Sequence, residues 1–154
     1  MKYTTIFLFA MLSLSLSFCS SIQQGYSTIK QGVFGQALWS QGNQMPSPDK
    51  PQQNGSRPVQ RTVYIYMRTK LKEAVGQPPL FSKIETKLVA KVKTNKEGYF
   101  QCKLEPGYYS AFTEEADGRL FANLFDGDGN IAAFEVKAGK LTTYPIHINY
   151  KAAY

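Results

Sequence analysis

LVAKVKTNKEGYFQCKLEPGYY, residues 88–109, contains two alternating runs and two turns, and its reading decides the fold. In the first run Leu88, Ala90 and Val92 alternate with Lys87, Val89, Lys91 and Lys93; in the second Phe100, Cys102 and Leu104 alternate with Tyr99, Gln101 and Lys103. A period of two sends successive side chains to opposite faces of an extended chain, so each run reads as a half-buried strand. Between them Asn95-Lys96-Glu97-Gly98 is turn chemistry, because glycine takes a positive φ without steric cost and closes a hairpin. Glu105-Pro106-Gly107 reads as a second tight turn, with Pro106 presetting φ and Gly107 accepting the left-handed position that follows.

Outward from this segment the same grammar repeats. Upstream, Val63, Ile65 and Met67 alternate with Tyr64, Tyr66 and Arg68 across 61–69, and 32–40 holds Val33, Phe34, Leu38 and Trp39. The stretch 41–57, with Pro58 just beyond it, is rich in Pro, Gln, Asn and Ser and reads as a long exposed loop, since proline brings no amide donor to a sheet. In 70–83 the pair Pro78-Pro79 ends any short helix that follows Lys70. Downstream, Tyr108–Thr113 returns from the second turn, and 120–125 and 131–136 flank an Asp/Gly/Asn loop as a hairpin. A last strand, 141–150, aligns Tyr144, Ile146, Ile148 and Tyr150 on one face. Seven or eight short strands separated by turns predict an all-β chain, an antiparallel β-sandwich whose core holds Val63, Ile65, Leu88, Val92, Phe100, Leu104, Ile146 and Ile148.

The N-terminus bears on the compartment. Lys2 precedes an apolar stretch, 6–18, too short and too serine-rich to span a bilayer, which reads as a secretory signal peptide over 1–18. It ends in Leu16-Ser17-Phe18-Cys19-Ser20-Ser21, which resembles a bacterial lipobox, with Phe18 where a small residue is usual; lipidation of Cys19 and plain cleavage near Ser20 or Ser21 both stay open. Residues 19–30 then form a polar tether and 31–154 a single domain. The 18 basic residues become 17 once Lys2 is removed, against 11 acidic ones, for a net charge of +6. In an exported protein of periplasm, outer membrane or medium, that balance points to anionic envelope surfaces rather than nucleic acid.

The pattern over Lys91–Phe112, a strand, Thr94, a turn ending in Gly98, then Phe100, Leu104, Pro106, Gly107 and Tyr108, resembles the core signature of carboxypeptidase regulatory-like domains of the transthyretin-like (prealbumin-like) group. Lipobox-like leaders followed by one such domain resemble envelope proteins of Bacteroidota. The resemblance implies the seven-stranded Greek-key order of that group's sandwich, which the strands on both sides fit, and a spacer or binding module with no reaction. Of two activities found among such folds, hydroxyisourate hydrolysis needs several histidines and a C-terminal Tyr-Arg-Gly-Ser, whereas this chain has one histidine, His147, and ends Tyr150-Lys-Ala-Ala-Tyr154. A Lys–Asn isopeptide cross-link would draw on Lys30 and Asn149 but also on a buried acid, and the sequence singles out none.

Candidate sites are few. No nucleophile–base pair or metal cluster is legible, so no catalytic residue is assigned and no enzyme is expected; Glu114, Glu115 and Asp117 read as an exposed turn. Cys102 reads as a small buried hydrophobe and His147 as a surface residue. Asp126, Asp128 and Asn130 place oxygens at alternate positions, as calcium loops do, although Ile131 and Lys137 break the pattern; calcium is the only cofactor suggested. Lys87, Lys91, Lys93 and Lys103 are expected to share the outward face of one hairpin, beside outward Tyr64, Tyr66 and Tyr99. The expected function is a non-catalytic envelope module, lipid-anchored or free, that binds a partner protein or an anionic or glycan surface, with a glycan- or calcium-binding module as the alternative.

Overall fold

The computed structural model describes residues 27–45 and 55–154. The leader, Cys19 and most of the tether lie outside the described residues. All regular elements are strands apart from one 3-10 turn at Leu71–Glu73. In chain order they are β1 (Gly32–Asn43), β2 (Arg57–Pro58), β3 (Thr62–Met67), β4 (Thr69–Lys70), β5 (Ala74–Gln77), β6 (Leu80–Ile84), β7 (Leu88–Lys93), β8 (Tyr99–Cys102), β9 (Gly107–Glu114), β10 (Leu120–Phe121), β11 (Asn130–Ile131), β12 (Ala133–Val136), β13 (Leu141–Thr143) and β14 (Ile146–Ala153).

The smaller sheet is organised by β1. Its N-terminal half pairs with β13 on one side and β8 on the other, and its C-terminal half pairs with β14 and β2. The pairings with β8 and β2 are antiparallel, whereas those with β13 and β14 are parallel, so the first strand lies beside the last in the same direction. The larger sheet runs β5-β6-β10-β9-β3-β7, with β12 also on β9. Between the sheets Val33, Trp39, Val63, Ile65, Phe100, Leu104, Phe121, Val136, Ile146 and Ile148 form the main core. The all-β sandwich expected from the alternation is the architecture observed.

Several local expectations are corrected. First, the runs at 88–93 and 99–102 are not a hairpin: β7 pairs with β3 and β8 with β1, so the Asn95–Gly98 turn crosses from one sheet to the other. Gly98 keeps its expected role, at φ +78°, and its carbonyl accepts the Ala37 N–H at 2.8 Å. Gly107 does not: it belongs to β9, opposite Val136, and is not among the glycines with positive φ. Second, Leu88 is 40% exposed rather than core. A bulge in the β3–β7 register, where Ile65 faces Ala90 but Tyr66 faces Leu88, inserts one residue at Val89 and turns Leu88 onto the opposite face.

Third, 70–83 is more than a connection: the short 3-10 turn after Lys70 ends well before Pro78-Pro79, and β5 and β6 then form a hairpin at the far edge of the larger sheet. That hairpin has a physical consequence. Phe81 and Ile84 pack with Tyr66, Phe112, Leu120 and Ile131 into a second apolar cluster, and Phe112 meets both Phe81 and Tyr66 edge-to-face at 6.1 and 5.7 Å. Strand β9 is therefore buried on both faces, which explains why 109–113 is buried at every position instead of alternating. Fourth, Arg57–Pro58 joins the sheet as a two-residue edge strand, where the missing amide costs nothing, and the next amide, of Val59, donates to Ala37 O at 3.1 Å. Finally, 120–125 and 131–136 do not zip together: β10 joins β6 and β9, β12 joins β9, and one Phe125–Ile131 bridge remains between the two runs.

Candidate functional site

Strand β7 is an outer strand of the larger sheet and β8 an outer strand of the smaller one, and both lie on the side of the sandwich that the Asn95–Gly98 turn closes at one end. Val92 and Lys93 on β7 and Tyr99, Phe100 and Gln101 on β8, with Phe34, line an open and largely apolar slot of about 250 Å³ here. Phe34 stacks on Tyr99 with centroids 5.7 Å apart, which holds the phenol ring against its own sheet. The tether's last residues close down on the same strand: Ser27 Oγ and Thr28 N both donate to Gln101 Oε1, at 3.0 and 2.9 Å.

The expected patch is divided by this arrangement. Lys91 stands opposite Tyr64 and Lys93 opposite Thr62, so these two share a face. Lys87 is exposed beyond the bulge, and Lys103, exposed just after β8, belongs to the other sheet. Tyr66 is not an outward platform, because only 9% of it is exposed and it lies in the second apolar cluster; burial raises its phenol pKa. Tyr64 stacks on Tyr66 at 6.4 Å and carries Lys91 Nζ 4.4 Å above its ring, a cation–π contact. Tyr64 and Tyr99 are half-buried.

The acidic loop holds itself together. Asp126 Oδ1 accepts the Asp128 and Asn130 backbone N–H groups at 2.9 and 2.8 Å, and its Oδ2 accepts Asn130 Nδ2 at 2.7 Å. The Asn130 side chain and backbone bonds hold the Asp126 carboxyl below its ordinary range. A cation bound by Asp126, Asp128 and Asn130 would have to displace these bonds, and Asn130 is buried with its amide nitrogen rather than its oxygen turned to Asp126. Among the described residues no group of three or more His, Cys, Asp or Glu is placed to hold a metal ion.

Sequence reasoning missed one site. Glu115 is not in an exposed turn but buried at 4% exposure, its side chain reaching under the sandwich end. Its Oε2 accepts Arg61 Nε at 3.3 Å and the Tyr150 hydroxyl at 3.1 Å, and Oε1 accepts the Thr113 hydroxyl at 3.1 Å. Arg61 in turn lies 5.3 Å from the Trp39 ring centroid. Burial, then the neighbouring Glu115 charge, push the Tyr150 phenol up to about 12. This is the buried acid that the isopeptide reading lacked, but its partners are Arg61, Thr113 and Tyr150; Asn149 instead meets Asn123 at 2.8 Å, and Lys30 is exposed. The clue in the sequence was the alternation of Ala111, Thr113 and Glu115, which puts the carboxylate on the core face.

Cys102 is half-buried against the main core, and burial pushes its thiol up, away from the thiolate. His147 is exposed, as expected. No helix among the described residues is long and apolar enough to cross a membrane. No family model, no curated protein and no solved structure matches this chain.

Proposed function

We propose that this chain is a non-catalytic exported module of the cell envelope, a carboxypeptidase regulatory-like domain in type, whose work is to bind a partner. The observation that carries the reading is the side of the sandwich between β7 and β8, where two strand edges, an apolar slot and lysines without an ion pair among the described residues lie together. Exposed apolar surface rimmed by charge is the common mark of an interaction site. The disposition of Glu115 supports the non-catalytic half of the proposal. Both of its oxygens are held by three donors inside the fold, which makes it a structural anion and not a proton acceptor for a substrate.

Export rests on the leader at 1–18, and anchoring on Cys19. The test combines fractionation with cross-linking. In cells that carry the full chain, a photoactivatable residue is placed in turn at exposed Val89 on β7 and exposed Thr143 on β13. The proposal expects a processed chain in the envelope fraction and a discrete adduct from at least one position. An unprocessed cytosolic chain, or no adduct from either position, overturns it.

A further inference from the structure

Strand β7 has one partner, β3, and its other edge meets no strand among the described residues. The direction of its peptide groups follows from two bonds at its ends: Thr94 N–H donates to Arg61 O at 2.9 Å, and Lys87 O accepts Met67 N–H at 2.9 Å. In an antiparallel ladder the residues that exchange bonds with a partner alternate with residues whose N–H and C=O point away from it. Thr94, Val92 and Ala90 therefore face β3, and the peptide groups of Lys91 and Lys93 face outward from the sheet. An edge of this kind is a template for one more strand.

Three features define what such a strand must be. The slot beside Val92, Phe100 and Tyr99 takes apolar side chains. Lys91 and Lys93 stand two residues apart on the strand face shared with Tyr64 and Thr62, Lys91 over the Tyr64 ring and Lys93 also bordering the slot, and neither they nor Lys87 has an ion-pair partner among the described residues. A second copy of β7 would set these lysines against one another, and like charges directly opposed destabilise a strand pair. A segment with acidic residues at alternate positions would pair with them instead.

We infer that β7 receives an extended, acidic segment of a partner protein as an added antiparallel or parallel strand, its apolar residues in the slot and its carboxylates over Lys91 and Lys93. This rests on the binding-module reading above and gives it a partner chemistry and a mode. Backbone bonds to the Lys91 and Lys93 peptide groups supply the affinity, and the alternation supplies the choice of sequence. The lysines that keep the edge from pairing with itself are thus the ones that select the partner.

The test uses the full chain, labelled for amide NMR, and a peptide of roughly eight residues alternating valine and glutamate, about the length of one strand. Two control peptides keep its charge: one replaces alternate valines by proline, and the other has the same residues in blocks. The proposal expects saturable shifts and at least about tenfold slower amide exchange at Lys91 and Lys93 with the alternating peptide, and none with the proline peptide, whose missing donors and fixed φ prevent pairing. The double variant Lys91→Glu/Lys93→Glu, checked for an unchanged melting temperature, should bind at least about tenfold more weakly, and rising salt should weaken the wild type.

The inference is overturned by an absence of shifts at millimolar peptide, by equal binding of the proline or block peptide, or by protection mapping to another strand. The peptide arms need only the wild-type protein and decide the matter even where the double variant unfolds. If the Thr143 position gives an adduct in cells while β7 takes no peptide, the module reading stands and this mode falls.

Discussion

Replacing Gly98 by alanine tests the crossing turn where two separate physical effects meet. The residue sits at φ +78°, and a Cβ built there would lie 2.5 Å from Ala37 O and 3.3 Å from Val59 N. A left-handed backbone costs an L-residue about 1–2 kcal/mol. The approach to Ala37 O is backbone on backbone, so relief requires the turn to move away from β1, weakening the 2.8 Å bond from Ala37 N to Gly98 O; a lost buried hydrogen bond costs about 1–3 kcal/mol. The expected destabilisation of Gly98→Ala is therefore about 2–5 kcal/mol. Two other glycines separate the contributions. Gly118 has φ +80° with no atom within 4 Å of its Cβ position, so Gly118→Ala should cost only the backbone share, about 1–2 kcal/mol. Gly107, without a positive φ and with its nearest Cβ neighbour the Tyr109 hydroxyl at 3.3 Å, should tolerate alanine within about 1 kcal/mol. Urea unfolding followed by tryptophan fluorescence reads all three, since Trp39 is the only tryptophan and is buried. Equal losses for Gly98→Ala and Gly118→Ala would refute the close approach of the turn to β1, and a large loss for Gly107→Ala would restore the tight turn that the sequence suggested.

Phe112→Ala, at 0% exposure between Phe81 and Tyr66, should cost about 3–5 kcal/mol in the same assay, and a loss under about 1 kcal/mol would deny the second cluster a share in stability. Because Tyr150 is held neutral up to about 12, whereas an unfolded tyrosine ionises near 10, stability from this group is complete below pH 10 and is lost as pH rises towards 12. Tyr150→Phe should flatten that alkaline slope in part, leaving what the raised phenols of Tyr66, Tyr109 and half-buried Tyr144 contribute; an unchanged slope would show that the Tyr150 phenol titrates as in water. Cys19→Ser should move the chain from the membrane to the soluble envelope fraction without altering its melting temperature, and absence of label from a palmitate analogue on the wild type would show that it is not lipidated.

How much of this was legible from residues alone depends on what each signal reports. Alternation identifies the face a side chain takes, so Val63, Ile65, Phe100 and Ile148 were placed correctly in the core. It says nothing about which strand lies alongside. For that reason β7 and β8 read as a hairpin, Lys103 joined a patch it does not share, and the bulge that turns Leu88 outward was invisible. Strand β9 hid its neighbourhood in a different way: with both faces buried, Tyr109–Thr113 loses the pattern that would have announced a second cluster, and Tyr66 passed for an exposed ring. Glu115 shows the converse error. An acidic pair beside Asp117-Gly118 looks like a solvated turn, and only the positions of Arg61, 54 residues earlier, and Tyr150, 35 residues later, make burial of the carboxylate tolerable.

The parallel pairing of β1 with β13 and β14 bears on how the molecule is made. β1 occupies the middle of its sheet, yet two of its four neighbours lie more than a hundred residues further along the chain. Closing a loop of more than a hundred residues must precede the contacts that stabilise it, so folding should be slow for the domain's size, in the millisecond-to-second range typical of sandwiches. A chain ending at Lys140 should give the narrow amide dispersion of an unfolded polypeptide by NMR; native-like dispersion would show that β1 can be seated without its parallel neighbours. Until β14 is made, Val33, Ala37 and Trp39 have no closed core to enter, so a growing chain keeps its first strand open until residues 146–153 are available to seat it.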